Sequence, residues 1–263
     1  MRISILKKCI NNILIKISGD FSGNSKYNRI LWNRYSSKWN AAKVKPEDPL
    51  TTTSQIQYLG DEWGSRASVE DIIREFILSF VSTESRVAEF GVGGGRIATR
   101  VAKNVGFLDC FDISKSMLRR AKEELRSEPN ITFHLIKSRE FSSAQATKYD
   151  FIYLFDVMVH MDLHTMRDYL SEFHKMLKPS GKIFIHTSNL TSPEGWARFR
   201  SQRDFSVEGH YFVSPELVRT LATQSGYEVI KESIFSRENF YYARDYLAVL
   251  KKTPVDLTNP SSQ

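Results

Sequence analysis

The sequence predicts an α/β protein: a doubly wound, seven-stranded sheet, mostly parallel, with helices on both faces and a helical extension ahead of it. Three observations predict it. From Arg86 onward, short apolar runs alternate with helix-patterned stretches, the order that builds a parallel sheet covered on both sides. The first run, Arg86–Phe90, ends in Gly91-Val92-Gly93-Gly94-Gly95 and opens directly into a helix. The last unit is a helix followed by two strands in hairpin connection, which sets an antiparallel strand at the C-terminal end of the sheet.

Taken in order, residues 1–18 place Ile3, Leu6, Ile10, Ile13, Leu14 and Ile17 at helical spacing with lysines between them. Two readings stand for this basic amphipathic helix: packing on the chain's own core or a partner, and peripheral contact with an anionic membrane surface. The lysines and the missing small-residue cleavage site argue against a signal peptide. Asp20–Lys26 reads as a linker. Tyr27–Trp39 carries Trp32, Tyr35 and Trp39 on one helix face, a packing pattern. Lys45–Pro49 breaks any helix, and a loop through Tyr58–Gly64 follows. Ser68 is placed to cap a helix over 69–80, whose Val69, Ile72, Ile73, Phe76, Ile77 and Phe80 share a face.

Strands are predicted at 86–90, 107–111, 131–136, 150–155 and 182–187, with helices near 95–104, 115–126 and 164–177 and a weakly helical segment at 139–147. Lys178-Pro179-Ser180-Gly181 reads as the turn that ends the third of these helices. Asn189–Tyr211 is an irregular insertion, long enough for a lid. Ser214-Pro215-Glu216 starts a helix that ends at Gly226. Tyr227–Ile234 and Tyr246–Leu250 are the closing strands. Three regions result: an extension over 1–60, an α/β domain over 61–252 with an insertion at 189–211, and a tail at 253–263 expected to be disordered.

Charge and cysteine exclude several classes. The net charge of +7 sits wholly in residues 1–60, with ten Lys/Arg against three Asp/Glu, while the other 203 residues carry 27 of each. The domain therefore has no charge excess to draw in a polyanion, and no nucleic-acid partner is expected. Cys9 and Cys110 form neither a disulfide framework nor a zinc spacing, which fits a cytoplasmic setting, with membrane contact confined to residues 1–18. No run of 18 apolar residues predicts a membrane span.

A strand that ends in glycines and opens a helix lets backbone N–H groups approach a nucleotide-like ligand without Cβ atoms in the way. A dinucleotide fingerprint needs glycine at 96, where this chain has Arg96, so a nicotinamide-dependent oxidoreductase is the weaker alternative. Glu89–Gly95 instead fits E/D-x-G-x-G-x-G, and Phe111–Leu118 carries an acidic second-strand motif. Tyr149–His160 and Leu177–Lys182 follow as fourth- and fifth-strand motifs.

Over about 83–251 the chain resembles the class I S-adenosylmethionine-dependent methyltransferases, whose sheet is Rossmann-like. The resemblance implies S-adenosylmethionine as cofactor and an orienting role for Glu89 near its amino-acid part. It implies backbone contacts from Gly91, Gly93 and Gly95 to the methionine moiety, with Ile113 on the adenine and Phe155 beside the site. Asp112, 21 residues beyond Gly91, is positioned to take both ribose hydroxyls. The acid that commonly follows the third strand is replaced here by Ile136-Lys137-Ser138-Arg139, so Ser138 or the Arg139 backbone is expected to serve the adenine, with Phe141 over the ring. Because that acid is missing, a non-catalytic partner module with the same fold is a further alternative.

Acceptor residues are expected beyond strands four and five. His160 is the leading candidate for a base and Asp156 accompanies it; His186, Ser188, Asn189, His210, Tyr211 and Arg198, Arg200 and Arg203 are secondary candidates. Asp156 with Asn189 is similar to the metal-dependent catechol enzymes, but Ser188 stands where their third carboxylate would be, so no metal is expected. The Asn/Asp-Pro-Pro-aromatic motif of nucleic-acid amino-methylating enzymes is absent at 155–158. The expected acceptor is a small molecule, a sugar or glycan, or a lipid-linked intermediate, methylated on oxygen or nitrogen. Trp63 reads equally as a lid residue and a core tryptophan.

Overall fold

The structure, a computed structural model, describes residues 23–138, 141–142, 145–203 and 209–253. The amphipathic segment 1–18, Cys9 and the tail beyond 253 lie outside the described residues. Seven strands form one sheet: β1 (Arg86–Phe90), β2 (Phe107–Asp112), β3 (Ile131–Leu135), β4 (Tyr149–Leu154), β5 (Leu177–Ser188), β6 (Tyr227–Glu232) and β7 (Asp245–Lys252). Their spatial order is β3-β2-β1-β4-β5-β7-β6. β1 pairs in parallel with β2 and β4, whereas β7 runs antiparallel between β5 and β6. Strand order reverses at β1 and β4, the place where open α/β sheets leave a crevice beyond their C-terminal ends.

Alternation along the strands divides the core between the two faces. Phe151 and Tyr153 pack with α2 (Arg66–Ile72), α3 (Ala98–Val101) and Leu118 and Ala121 of α4 (Lys115–Glu124). Ile152 and Leu154 pack on the other side with α5 (Leu163–Met176) and Val218 and Ala222 of α7 (Pro215–Gln224). Side chains such as Phe76, Phe173 and Phe184 are fully buried, each worth roughly 1.5–3 kcal/mol of transfer free energy.

Several elements differ from the sequence reading for identifiable reasons. α1 starts at Gly23, inside the expected linker, and runs to Lys38. It is tied to α4: Asn33 Oδ1 accepts from Ser114 Oγ at 3.0 Å, and Arg120 Nε donates to the Ser36 carbonyl at 2.9 Å. The cap of α2 is Ser65 rather than Ser68, because Ser65 Oγ accepts from the Ser68 N–H. The helix then widens into a π turn at Ile73–Ile77. No helix forms among the described residues of 139–147. Lys178–Gly181 belong to β5 as an irregularity, since the β4 register passes from Tyr149–Leu177 to Phe151–Lys182. The insertion holds a real helix, α6 (Pro193–Ser201), with Ser192 as cap and proline in the first turn. The closing hairpin carries α8 (Phe240–Arg244).

Gly91 has φ +77°, and a Cβ there would lie 2.3 Å from Val157 Cγ2; Gly93 has φ +54°, and a Cβ there would meet only the Gly91 carbonyl oxygen, at 4.0 Å. Gly93→Ala is therefore expected to cost about 1–2 kcal/mol for the left-handed backbone alone, and Gly91→Ala a further 1–3 kcal/mol or so for the clash. Urea midpoints of the two variants check the order.

Candidate functional site

The C-terminal ends of β1, β2 and β4 open into a cleft of about 100 Å³. Its floor is the glycine turn, Gly91 to Gly94, which leaves β1 and enters α3. Asp112, at the tip of β2, accepts from Gly93 N–H at 3.0 Å and Ser114 N–H at 2.7 Å, and so splints the turn to the start of α4. Burial nevertheless pushes its carboxyl up to about 7, against those hydrogen bonds. Glu89 is buried within β1, accepts from Tyr153 Oη at 2.9 Å, and is pushed up to about 8 by burial.

Ile113 and Phe155 line the cleft together with Glu89, Gly91, Gly93 and Asp112. Gly95 closes the turn from behind, donating its N–H to the Val92 carbonyl at 2.9 Å. Ser138 is not among the lining residues, and Arg139 lies outside the described residues. Phe141 packs into the core against Phe90 and Tyr169, at ring separations of 5.2 and 5.0 Å. Ile136 and Tyr169 face the cleft in its place.

The roof comes from the N-terminal part of the chain. Asn28 and Trp32 of α1 and Leu59 and Trp63 of the following loop line the cleft. Trp63 packs against Trp32 and Tyr35, and the loop is fastened by Glu62, which accepts from Tyr35 Oη, Trp39 Nε1 and Gly60 N–H. Of the two readings of Trp63, the lid reading points to this roof, whereas the Trp32–Trp39 spacing reads as packing and nothing in the residue pattern marks Asn28 or Glu62.

Arg96 holds the roof to the floor. Its guanidinium is buried, donates to the Gly60 carbonyl and pairs with Asp156 Oδ2. Tyr241 Oη donates to the same carboxylate oxygen at 3.0 Å. Asp156 itself has φ +56°, and its N–H donates to His186 Nδ1 at 3.1 Å. Burial opposes its charge, but His186 and Arg96 prevail and hold its carboxyl well below the usual range. His186 Nε2 in turn lies 3.1 Å from Asp245 Oδ2, which pairs with Arg244 at 2.6 Å.

His160 ends a single turn after β4, Met158–His160. Its Nδ1 is 2.8 Å from the Gly209 carbonyl. A carbonyl only accepts, so Nδ1 carries the proton and Nε2 of the neutral ring is a bare acceptor. Burial pushes the imidazole down to about 4, so it is neutral at physiological pH. Trp32 sits edge-on to it at 5.0 Å, and Asn28 Nδ2 donates to its carbonyl at 2.7 Å.

A second, narrow cavity of about 20 Å³ shares Trp32, Trp63, Asp156 and His160 with the first and continues to Arg198, His210, Arg244 and Glu47. Of the secondary candidates, Arg198 and His210 line it, whereas Arg200 and Arg203 are exposed. Ser188 Oγ donates to the Tyr211 carbonyl at 2.7 Å, and Asn189 Oδ1 accepts from Thr191 at 3.0 and 2.7 Å. Among the described residues no cluster of His, Cys, Asp or Glu could hold a metal, and no helix is long and apolar enough to cross a membrane.

Residues 87–181 match a family described as a methyltransferase domain. That match spans β1 to the start of β5, the half of the sheet that carries the glycine turn. No curated protein matches it. Among solved structures it is similar to magnesium protoporphyrin IX methyltransferase from Synechocystis with bound S-adenosylhomocysteine, at TM-score 0.61 and 14% identity over 88% of this chain and 100% of that one. A protein from Pyrococcus horikoshii gives TM-score 0.60 and 19% identity over 74% and 95%. An S-adenosylmethionine-dependent methyltransferase from Methanosarcina mazei gives 0.54 and 16% over 68% and 97%. The matched segment is thus a methyltransferase domain, on a fold shared with S-adenosylmethionine-dependent methyltransferases.

Removing one partner of a buried ion pair strands the other charge, at about 3–5 kcal/mol. Arg96→Leu is expected to lose that much stability, and Arg96→Leu with Asp156→Asn to recover part of it, because asparagine tolerates the left-handed backbone and needs no counter-charge. A double-mutant cycle in urea measures both.

Proposed function

We propose that this methyltransferase moves the methyl group of S-adenosylmethionine to an oxygen or nitrogen of a small-molecule or glycan-type acceptor seated in the second cavity, with His160 taking the acceptor's proton. The observation that carries this reading is the position of His160, its bare Nε2 belonging to a ring that lines both cavities.

The cleft fits the cofactor on its own chemistry. Gly91 and Gly93 offer backbone without Cβ atoms, and a buried carboxylate, Asp112, stands where vicinal hydroxyls can donate to it. Ile113, Met117 and Ile136 supply an apolar slot for a base, in place of the missing third-strand acid. Glu89 orients the amino-acid part. The cofactor, when bound, supplies an electrophilic methyl group on a sulfonium. The protein's part is to align the acceptor in line with it and to keep water out, which the Trp32–Trp63 roof does. Asp156 acts here as a positioning residue: its carboxylate is engaged by Arg96 and Tyr241 and stays ionised, so it holds the strand-four turn on which His160 sits.

Two outcomes test the assignment. Calorimetry with S-adenosylhomocysteine should show Asp112→Asn binding about 10- to 100-fold more weakly, the worth of hydrogen bonds to a charged acceptor. In the free protein burial holds the Asp112 carboxyl up at about 7; the ionised form accepts the hydroxyls, so wild-type affinity should rise from pH 6 to 8 more steeply than that of the Asn variant, whose remaining dependence is that of Glu89. Equal affinities, or binding of NADH instead, would refute the site.

His160→Gln should lower turnover about 10²–10⁴-fold in an acceptor screen that reads out S-adenosylhomocysteine, with cofactor affinity little changed. Unchanged turnover on the best acceptor would remove His160 from the chemistry.

A further inference from the structure

The far end of the second cavity has a construction that methyl transfer alone does not require. Arg198, from α6, and Arg244, from α8, come from segments far apart in the chain, yet both donate to one oxygen, Glu47 Oε2, at 2.7 and 3.3 Å. Glu47 belongs to neither element. It sits on the Lys45–Pro49 strap, held there by its own backbone N–H, which donates to the Glu62 carbonyl at 2.7 Å. The clamp is already seen binding a carboxylate, the planar anion that guanidinium groups match. The same cavity wall holds His210, 7% exposed, whose Nδ1 has no hydrogen-bond partner among the described residues. An unpaired buried polar nitrogen costs about 1–3 kcal/mol, a cost that a ligand carrying a hydrogen-bonding group removes.

We propose that this end of the cavity is the acceptor's anion subsite, built for a small carboxylic acid whose carboxylate is bound by Arg198, Arg244 and His210 in exchange for the side chain of Glu47. The inference rests on the methyltransferase reading and deepens it. Exchange follows from charge: among the described residues Glu47 is the carboxylate that both Arg198 and Arg244 share, so an incoming carboxylate takes its place on them. Glu47 is suited to leaving because it is partly exposed, its side chain 20% accessible, on a loop whose backbone bond does not depend on its carboxylate. Arg244 is not, being buried and paired to Asp245. With Glu47 in place the room left in the cavity is about 20 Å³, that of roughly one water, so an acid's carboxylate takes the volume that the Glu47 side chain vacates.

Trp32 and Trp63 line the cavity, so their fluorescence reports occupancy. Acetate, benzoate and indole-3-acetate, each paired with its neutral amide, are titrated into the full chain saturated with S-adenosylhomocysteine. At least one acid should bind ten times more tightly than its amide. Glu47→Gln should tighten that acid at least tenfold, and Arg198→Gln should weaken it at least tenfold, with both variants keeping the wild-type melting temperature within a few degrees. Equal binding of acids and amides, no binding of any acid, or Glu47→Gln binding no better than wild type would each overturn the subsite. Calorimetric binding of S-adenosylhomocysteine separates the two readings. If it binds and no acid does, the methyltransferase reading stands without the subsite; if an acid binds and S-adenosylhomocysteine does not, the cofactor assignment falls.

Discussion

The ion pair between Arg96 and Asp156 is the constraint on which the rest of the site depends. Both groups are withdrawn from water, so neither can be left alone without a penalty of several kcal/mol. Each is anchored to a different part of the molecule: Arg96 follows the glycine turn, and Asp156 forms the left-handed corner where β4 leaves the sheet. Because Arg96 also donates to the Gly60 carbonyl, the pair pins the roof loop to the floor. Tyr241 adds the C-terminal hairpin to the same carboxylate. Four segments distant in sequence therefore meet at one charge, and the cleft exists because they meet without filling it.

Around that point three carboxyl groups of the same chemistry are driven in opposite directions. Glu89 and Asp112 are buried and hydrogen-bonded to neutral donors, Tyr153 and backbone N–H groups, and burial raises them to about 8 and 7. Asp156 is as deeply buried, yet an arginine and a histidine hold it down. Environments that push like groups apart divide the labour of a site. Here they yield one fixed anion for architecture and two carboxyls able to answer a ligand. Asp112 in particular already accepts two backbone N–H groups, so its geometry is set before any hydroxyl arrives.

The parts of this arrangement that were legible in the sequence are those carried by local pattern. The alternation of strands and helices, the glycine turn and the position of Asp112 follow from periodicity and spacing, which are short-range signals. The missed parts are long-range. Ser65 displaced Ser68 as a cap because both serines precede an amphipathic run, and the choice is made by tertiary contacts: Asp48 Oδ2 accepts the Ser65 N–H at 2.7 Å, and Asn239 Nδ2 binds the Ser68 carbonyl at 3.0 Å. Lys178–Gly181 has turn composition, yet extended pairing on β4 overrode it. Arg96 counted in the sequence only as a non-glycine, a fact about what the turn does not bind. Its own role depends on Gly60 and Asp156, 36 and 60 residues away. Glu47 and Arg244 carried no signal at all, since a clamp assembled from a strap, an insertion helix and a hairpin has no one-dimensional spacing.

The charge pattern of the inner cavity follows from the same economy of contacts. His210 is held well below its usual range by burial and by Arg244 and Arg198, and His160 is lowered mainly by burial. Both rings are consequently neutral hydrogen-bonding groups where protonation would set two more cations beside three arginines. A neutral imidazole can take a proton from an acceptor as that acceptor gains bonding to the methyl group; an imidazolium could not. The arginines that would bind an acid thus also keep His210 unprotonated, while the Gly209 carbonyl fixes which nitrogen of His160 is bare. Recognition and proton uptake are coupled through one local potential, and Glu47, partly exposed and shared by Arg198 and Arg244, is where that potential can be changed.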